Sequence, residues 1–129
     1  TVWKLFGVDH AINSGDAQLV LSLQTVGESD VLDAEKKVAL QNFLSKQYLK
    51  VIEGQHLDFT LTNSLLGDVA VSEDLYLTMI ARKTADLIAA AAMVPGIISS
   101  KGEAECEALF SYGYNLGIGY QLCDDVVSV

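Results

Sequence analysis

Three groups of polar side chains occupy positions where the surrounding apolar periodicity would place core. The first lies in the stretch Y-N-L-G-I-G-Y-Q-L-C-D-D-V-V-S-V, residues 114–129, and consists of Gln121, Asp124 and Asp125. Residues three and four apart share a helix face, so Gly117, Gln121, Asp124, Asp125 and Ser128 should line one side of a single rod. Leu116, Ile118, Tyr120, Leu122 and Val126 are expected to press that rod into a core. Adjacent carboxylates carried into an apolar setting must be neutralised, and hard cations with oxygen ligands, Mg²⁺ above all, are the usual means. The ordinary alternative is a solvated helix end, where paired aspartates are common.

The second group is Lys83-Thr84 in Y-L-T-M-I-A-R-K-T-A-D-L-I. Helical spacing puts Tyr76, Ile80, Lys83, Thr84 and Leu87 on one face, so an ammonium and a hydroxyl would rise from an apolar stripe. A lysine whose stem covers apolar surface while its head reaches water is the competing explanation. The third group is Gln55 and Asp58 in G-Q-H-L-D-F, one helical turn apart, which could equally be a solvated face. His10 and His56 have no Cys or His partner at metal-binding spacing. Nucleotide-loop, nucleophile-elbow and zinc patterns are absent.

The elements that must position these groups read as helices throughout. A first helix is expected from about Asp9 to Val26, stopping at Gly27. A second should start near Asp30 and reach Asn63, with Val38, Leu40, Leu44, Leu49 and Ile52 on its apolar side. Residues 63–72 read as a connection. Ser72 followed by Glu73 and Asp74 reads as an N-cap with an acidic first turn, opening a third helix that Pro95-Gly96 should end or kink near Val94. Gly102 opens a fourth, from about Glu103 to the end of the sequence. No stretch alternates as a strand would, so the fold class is all-α, with long, roughly antiparallel helices.

A length of 129 residues suits one domain with a real core, and half of the residues are hydrophobic. Seventeen acidic residues against eight basic ones give a net charge of −9, which argues against a nucleic-acid partner. Cys106 and Cys123 fall on one helix about 25 Å apart, far beyond the roughly 7 Å that a disulfide spans. They are expected to be free thiols, consistent with a reducing compartment. The longest apolar run, residues 85–98, contains Asp86 and Pro95 and is too short to span a bilayer. Apolar Val2, Trp3, Leu5 and Phe6 follow directly on Thr1, and a helical pattern runs uncapped to Val129, so both ends are expected to continue into a longer protein.

The segments A-I-N-S-G-D-A (11–17), G-Q-H-L-D-F (54–59), M-I-A-R-K-T-A-D-L (79–87) and G-Y-Q-L-C-D-D-V-V (119–127) occur in the order found in one known family. The chain resembles the trans-isoprenyl (polyprenyl) diphosphate synthases over nearly its whole length. That resemblance implies part of an antiparallel helical bundle of the isoprenoid synthase type around a central cavity. It implies a prenyltransferase that joins an allylic diphosphate to isopentenyl diphosphate through ionisation, condensation and proton loss. Mg²⁺ would bridge the allylic diphosphate to two aspartate-rich helices. By the same likeness Asp124 and Asp125 belong to the second of these, with Asp124 a direct or water-mediated ligand and Gln121 beside them. Lys83 and Thr84 match the pair that contacts diphosphate near the developing cation, and Gln55 and Asp58 match a pocket-lining pair. Small residues such as Gly113, Gly117 and Ala89 to Ala92 would suit walls between which prenyl chains fit.

The resemblance further implies a homodimer formed through helices like the first two here, and a cytoplasmic location. A first aspartate-rich motif and the basic residues for isopentenyl diphosphate lie outside these 129 residues, so the stretch alone is expected to be inactive. Ser128 stands where the common pattern has a third aspartate, and a hydroxyl is the weaker Mg²⁺ ligand. Two further readings stay open. D-D-V-V-S also resembles the start of the second metal motif of class I terpene cyclases, and a non-catalytic regulatory subunit of a prenyl synthase would carry a degenerate site on the same bundle.

Overall fold

The computed structural model describes residues 1–65 and 71–127, and every regular element among them is helical. Helix α1 spans Val2–Phe6 and α2 spans Val8–Glu28. Between them Gly7 takes φ +92°, a conformation that side chains with a Cβ rarely adopt. The expected stop at Gly27 is not one. Gly27 lies inside α2, where a methyl group would come within 2.9 Å of Gln41 Nε2. Gln41 Nε2 in turn donates to the Leu23 carbonyl at 3.1 Å. The glycine therefore serves a close approach rather than a helix end.

Helix α3 runs Ala34–Leu65 and starts later than Asp30, because Asp33 caps it: its Oδ1 accepts from Lys36 N at 2.8 Å. The expected connection at 63–72 begins inside α3 and otherwise lies mostly outside the described residues. The chain divides into two compact units, Thr1–Ser45 and Lys46–Val129, and the second holds all three polar groups. Its apolar centre is Leu61, Met79 and Ile80, with Leu57, Val71, Tyr76, Leu77 and Ile118 packed against it.

Helix α4, Glu73–Ile80, opens where expected, with Ser72 Oγ accepting from Leu75 N at 3.2 Å. Residues 81–85 then form a π-helical turn before α5 resumes at Asp86–Ile98. This turn is the largest departure from the sequence-based expectation. Ile80 and Ala85 are both fully buried although five residues apart, a spacing that α-helical periodicity does not produce. Leu87, expected on the face of Ile80, is consequently 40% exposed, while Asp86, Ala89 and Ala90 turn inward.

Pro95 does not end the helix at Val94 but lies inside α5. The carbonyl that loses its partner to a proline at 95 belongs to Ala91, an exposed position where water can serve it. Helix α5 instead ends at Ile98, and just beyond it Ser100 takes φ +54° while Lys101 N donates to the Gly96 carbonyl at 2.9 Å. Helix α6 runs Glu103–Val127. Its inward stripe is Cys106, Gly113 and Gly117, not the large residues expected there. Leu116, Tyr120, Leu122 and Val126 are exposed, and of that expected set only Ile118 packs on the core. The small residues win because α5 and the π turn approach α6 at backbone distance. A methyl at Gly113 would lie 2.7 Å from Ala89 Cα, and one at Gly117 2.6 Å from Ala85 Cα. Gly113 and Gly117 are thus spent on helix contact and do not wall an open channel. Cys106 is buried and Cys123 exposed, both free, and His10 and His56 are both exposed. No helix among the described residues is long and apolar enough to cross a membrane.

Candidate functional site

The polar groups form two short chains of contacts that meet at one cleft. On the α3 side, Lys83 Nζ donates to Asp58 Oδ2 at 2.6 Å and Gln55 Nε2 donates to the same oxygen at 3.2 Å. Lys83 and Asp58 are each about two-thirds to three-quarters buried at the side chain, so the ion pair is partly shielded from water. On the α6 side, Thr84 Oγ1 donates to Gln121 Oε1 at 2.8 Å. The amide of Gln121 donates to Asp125 Oδ1, also at 2.8 Å. Tyr76 on α4 completes the set, its hydroxyl donating to Asp125 Oδ2 at 2.6 Å.

The adjacent residues Lys83 and Thr84 thus reach two different helices, Lys83 towards α3 and Thr84 towards α6. A regular helical turn spreads consecutive side chains by about 100°, and the π turn sets where that spread falls. Asp58 and Asp125 both line a cleft of about 530 Å³, together with Tyr76, Ser72, Glu73 and the apolar Leu61, Val71 and Met79. Such a mixture of a few convergent polar groups and apolar wall suits a ligand with one charged and one hydrocarbon part.

A second cleft, about 700 Å³ in volume, has Lys50 and Arg82 on its wall. Its cations are already committed, Lys50 to Asp86 at 3.4 Å and Arg82 to Glu53. Glu53, Asp74 and Asp86 share that wall with the two cations.

Asp124 and Asp125, expected to act alike, are placed differently. Asp125 is half-buried with both carboxylate oxygens taken by neutral donors, whereas Asp124 is exposed. Among the described residues no three His, Cys, Asp or Glu side chains are grouped closely enough to enclose a metal ion. The donor set nevertheless fits Mg²⁺, which takes one or two carboxylates and fills its octahedron with water and phosphate oxygen. The oxygens of Asp125 are oriented by a phenol and an amide, not cancelled by a cation. Ser128 lies outside the described residues.

Tyr76 was legible only as a neighbour on the Lys83 face. Its partner Asp125 is 49 positions away, and no local pattern joins them. The hydrogen bond to Asp125, then burial and the carboxylate's charge, push the Tyr76 hydroxyl up from 10.0 to about 12. Because the folded value lies above the ordinary one, the contact's stabilisation is complete below about pH 10 and is lost as pH rises through about 12. In metal-free protein, phenolate absorbance is therefore expected to show a late titration step near pH 12 that Tyr76→Phe removes. A Tyr76→Phe titration curve that keeps this step would assign it elsewhere.

Comparisons with known proteins bear on the whole chain. Residues 1–129 match the family model described as polyprenyl synthetase. A geranylgeranyl pyrophosphate synthase of Geoglobus acetivorans is 32% identical over 129 residues, covering 100% of this chain and 39% of that protein. A (2E,6E)-farnesyl diphosphate synthase of Mycobacterium bovis is 33% identical, covering 100% of this chain and 34% of its own length. Among solved structures, a geranylgeranyl pyrophosphate synthetase from Pyrococcus horikoshii superimposes with a TM-score of 0.87 at 32% identity, over 100% of this chain and 38% of that one. The chain therefore spans little more than a third of the length of the relatives it matches.

Proposed function

The chain belongs to the polyprenyl synthetase family, and from that premise we propose that the whole protein is a trans-prenyltransferase. It would condense isopentenyl diphosphate with an allylic diphosphate, with diphosphate as the leaving group. The observation that carries this reading is the convergence of Asp58 and Asp125 on one cleft, with the Lys83–Thr84 turn joining their two helices. The names of these relatives, which are diphosphate synthases, support chain elongation over cyclisation.

Departure of diphosphate from an allylic carbon builds negative charge on oxygen and positive charge on carbon. Lys83 meets the first, its ammonium held by Asp58 and able to donate to a diphosphate oxygen. Asp58 and Gln55 fix that ammonium in place. Thr84 and Gln121, bonded to each other at 2.8 Å, supply hydroxyl and amide oxygens that would favour an electron-poor carbon. Leu61, Val71 and Met79 keep water from the hydrocarbon portion. Asp124 and Asp125 would hold Mg²⁺, which when bound supplies charge neutralisation for the leaving diphosphate.

We further read the protein as a homodimer in the cytoplasm. Supporting the first, Val2, Trp3, Leu5, Phe6, Ile12, Val20 and Leu21 of α1 and α2 are exposed apolar residues, and sedimentation of the full-length protein checks it. The test of the function is a product assay with full-length protein, Mg²⁺, an allylic diphosphate and isopentenyl diphosphate. A lengthened prenyl diphosphate is expected, with no turnover by residues 1–129 alone. Cyclised hydrocarbon, or no product, would sink the proposal.

A further inference from the structure

We infer that Gly54 and Gly117 are positioning residues that clamp the Lys83–Thr84 turn from opposite helices and so set the reach of both side chains. The inference deepens the prenyltransferase reading and rests on it only for its kinetic consequence. A methyl group built at Gly54 would overlap the backbone nitrogen of Lys83, with Arg82 C and Lys83 Cα both at 2.7 Å. These are main-chain atoms, which no side-chain rotation can remove. On α6, a methyl at Gly117 would lie 2.6 Å from Ala85 Cα and 3.0 Å from Ala85 Cβ. The two glycines thus touch the same five-residue π turn, Ala81–Ala85, Gly54 at its middle and Gly117 at its last residue.

Each glycine also lies one helical turn from the residue that its side of the turn contacts. Gly54 precedes Asp58 by four positions on α3, and Gly117 precedes Gln121 by four on α6. Backbone contact at the glycine therefore fixes the distance at the next turn, where Lys83 meets Asp58 at 2.6 Å and Thr84 meets Gln121 at 2.8 Å. Displacing the turn by the width of a methyl carries both atoms out of hydrogen-bond range. Helix packing alone would require small residues at these positions but would not tie them to the pairing of Lys83 and Thr84.

The test separates these two roles in the full-length protein. A double-mutant cycle of Lys83→Met and Asp58→Asn is measured by urea unfolding, once with glycine and once with alanine at position 54. The pair is expected to be coupled in the first background and uncoupled in the second. A parallel cycle of Thr84→Val and Gln121→Met is expected to lose its coupling in Gly117→Ala. Gly119→Ala, where a methyl meets nothing within 4 Å, is the control and should preserve both couplings. In the kinetic arm, Gly54→Ala should lower kcat by about tenfold or more and leave the KM for isopentenyl diphosphate unchanged. Couplings that survive both substitutions, or two variants that do not fold at all, would overturn the inference and leave the glycines purely structural. A wild-type enzyme without prenyl transfer would sink the functional proposal while the coupling measurements still judge the clamp.

Discussion

Lys83→Met in the full-length protein is expected to lower kcat/KM for prenyl transfer by about 10²- to 10³-fold, the usual cost of losing one donor aimed at developing negative charge. Methionine keeps the stem's volume and removes only the ammonium. The loss should fall mainly on kcat, because diphosphate carries more charge on its bridging oxygen in the transition state than in the bound substrate. Asp58, left without its cation, should also make folding less favourable, but only modestly. The pair is partly exposed, side chains 32% and 25%, and such pairs contribute about 1 kcal/mol or less. A urea melt thus separates the two effects: a large kinetic loss with a small shift in midpoint is expected. Lys83→Arg should recover little, since a planar guanidinium is longer and cannot occupy the point at which Asp58 Oδ2 and Gln55 converge. An unchanged kcat in Lys83→Met would remove the lysine from the chemistry.

The second large effect concerns the aspartate pair, whose two members should behave unalike. Asp124→Asn is expected to weaken Mg²⁺ activation directly, raising the Mg²⁺ concentration for half-maximal rate, because its carboxylate is exposed to solvent, where a hydrated ion can approach it. Asp125→Asn should lower kcat by about 10²-fold or more. An amide there loses the charge and confronts the Gln121 and Tyr76 donors with a donor of its own. Tyr76→Phe frees only one oxygen of Asp125 and should cost about 10- to 100-fold in apparent metal affinity, as loss of an orienting partner does. Mg²⁺ dependence and isothermal binding of Mn²⁺ with diphosphate check the series. Equal, small effects at Asp124 and Asp125 would contradict the placement.

The sequence carried most of this site but little of its spacing. Gln55 and Asp58 were readable because three positions on a helix share a face whatever else the chain does, and their contact at 3.2 Å follows from that. Lys83 and Thr84 were readable as a polar pair on an apolar stripe. The π turn that carries them was not, since a 3.6-residue period assumes the regular helix that Ala81–Ala85 abandons. The same assumption sent Leu87 inward, whereas it is 40% exposed and its neighbour Asp86 is buried. On α6 the error had another source. Large apolar residues were assigned to the core by hydrophobicity, whereas the contact at Gly113 and Gly117 is won by closeness of backbones. Tyr76 and Asp125 meet across 49 positions, a relation that no single-helix pattern contains.

The most direct measurement is a crystal structure of the full-length protein with Mg²⁺ and an allylic thiodiphosphate, which binds without ionising. The diphosphate is expected in the cleft between Asp58 and Asp125, accepting from Lys83 Nζ, with the hydrocarbon chain against Leu61 and Met79. Diphosphate bound instead in the Lys50–Arg82 cleft, with Lys83 still turned to Asp58 alone, would contradict the assignment of this site.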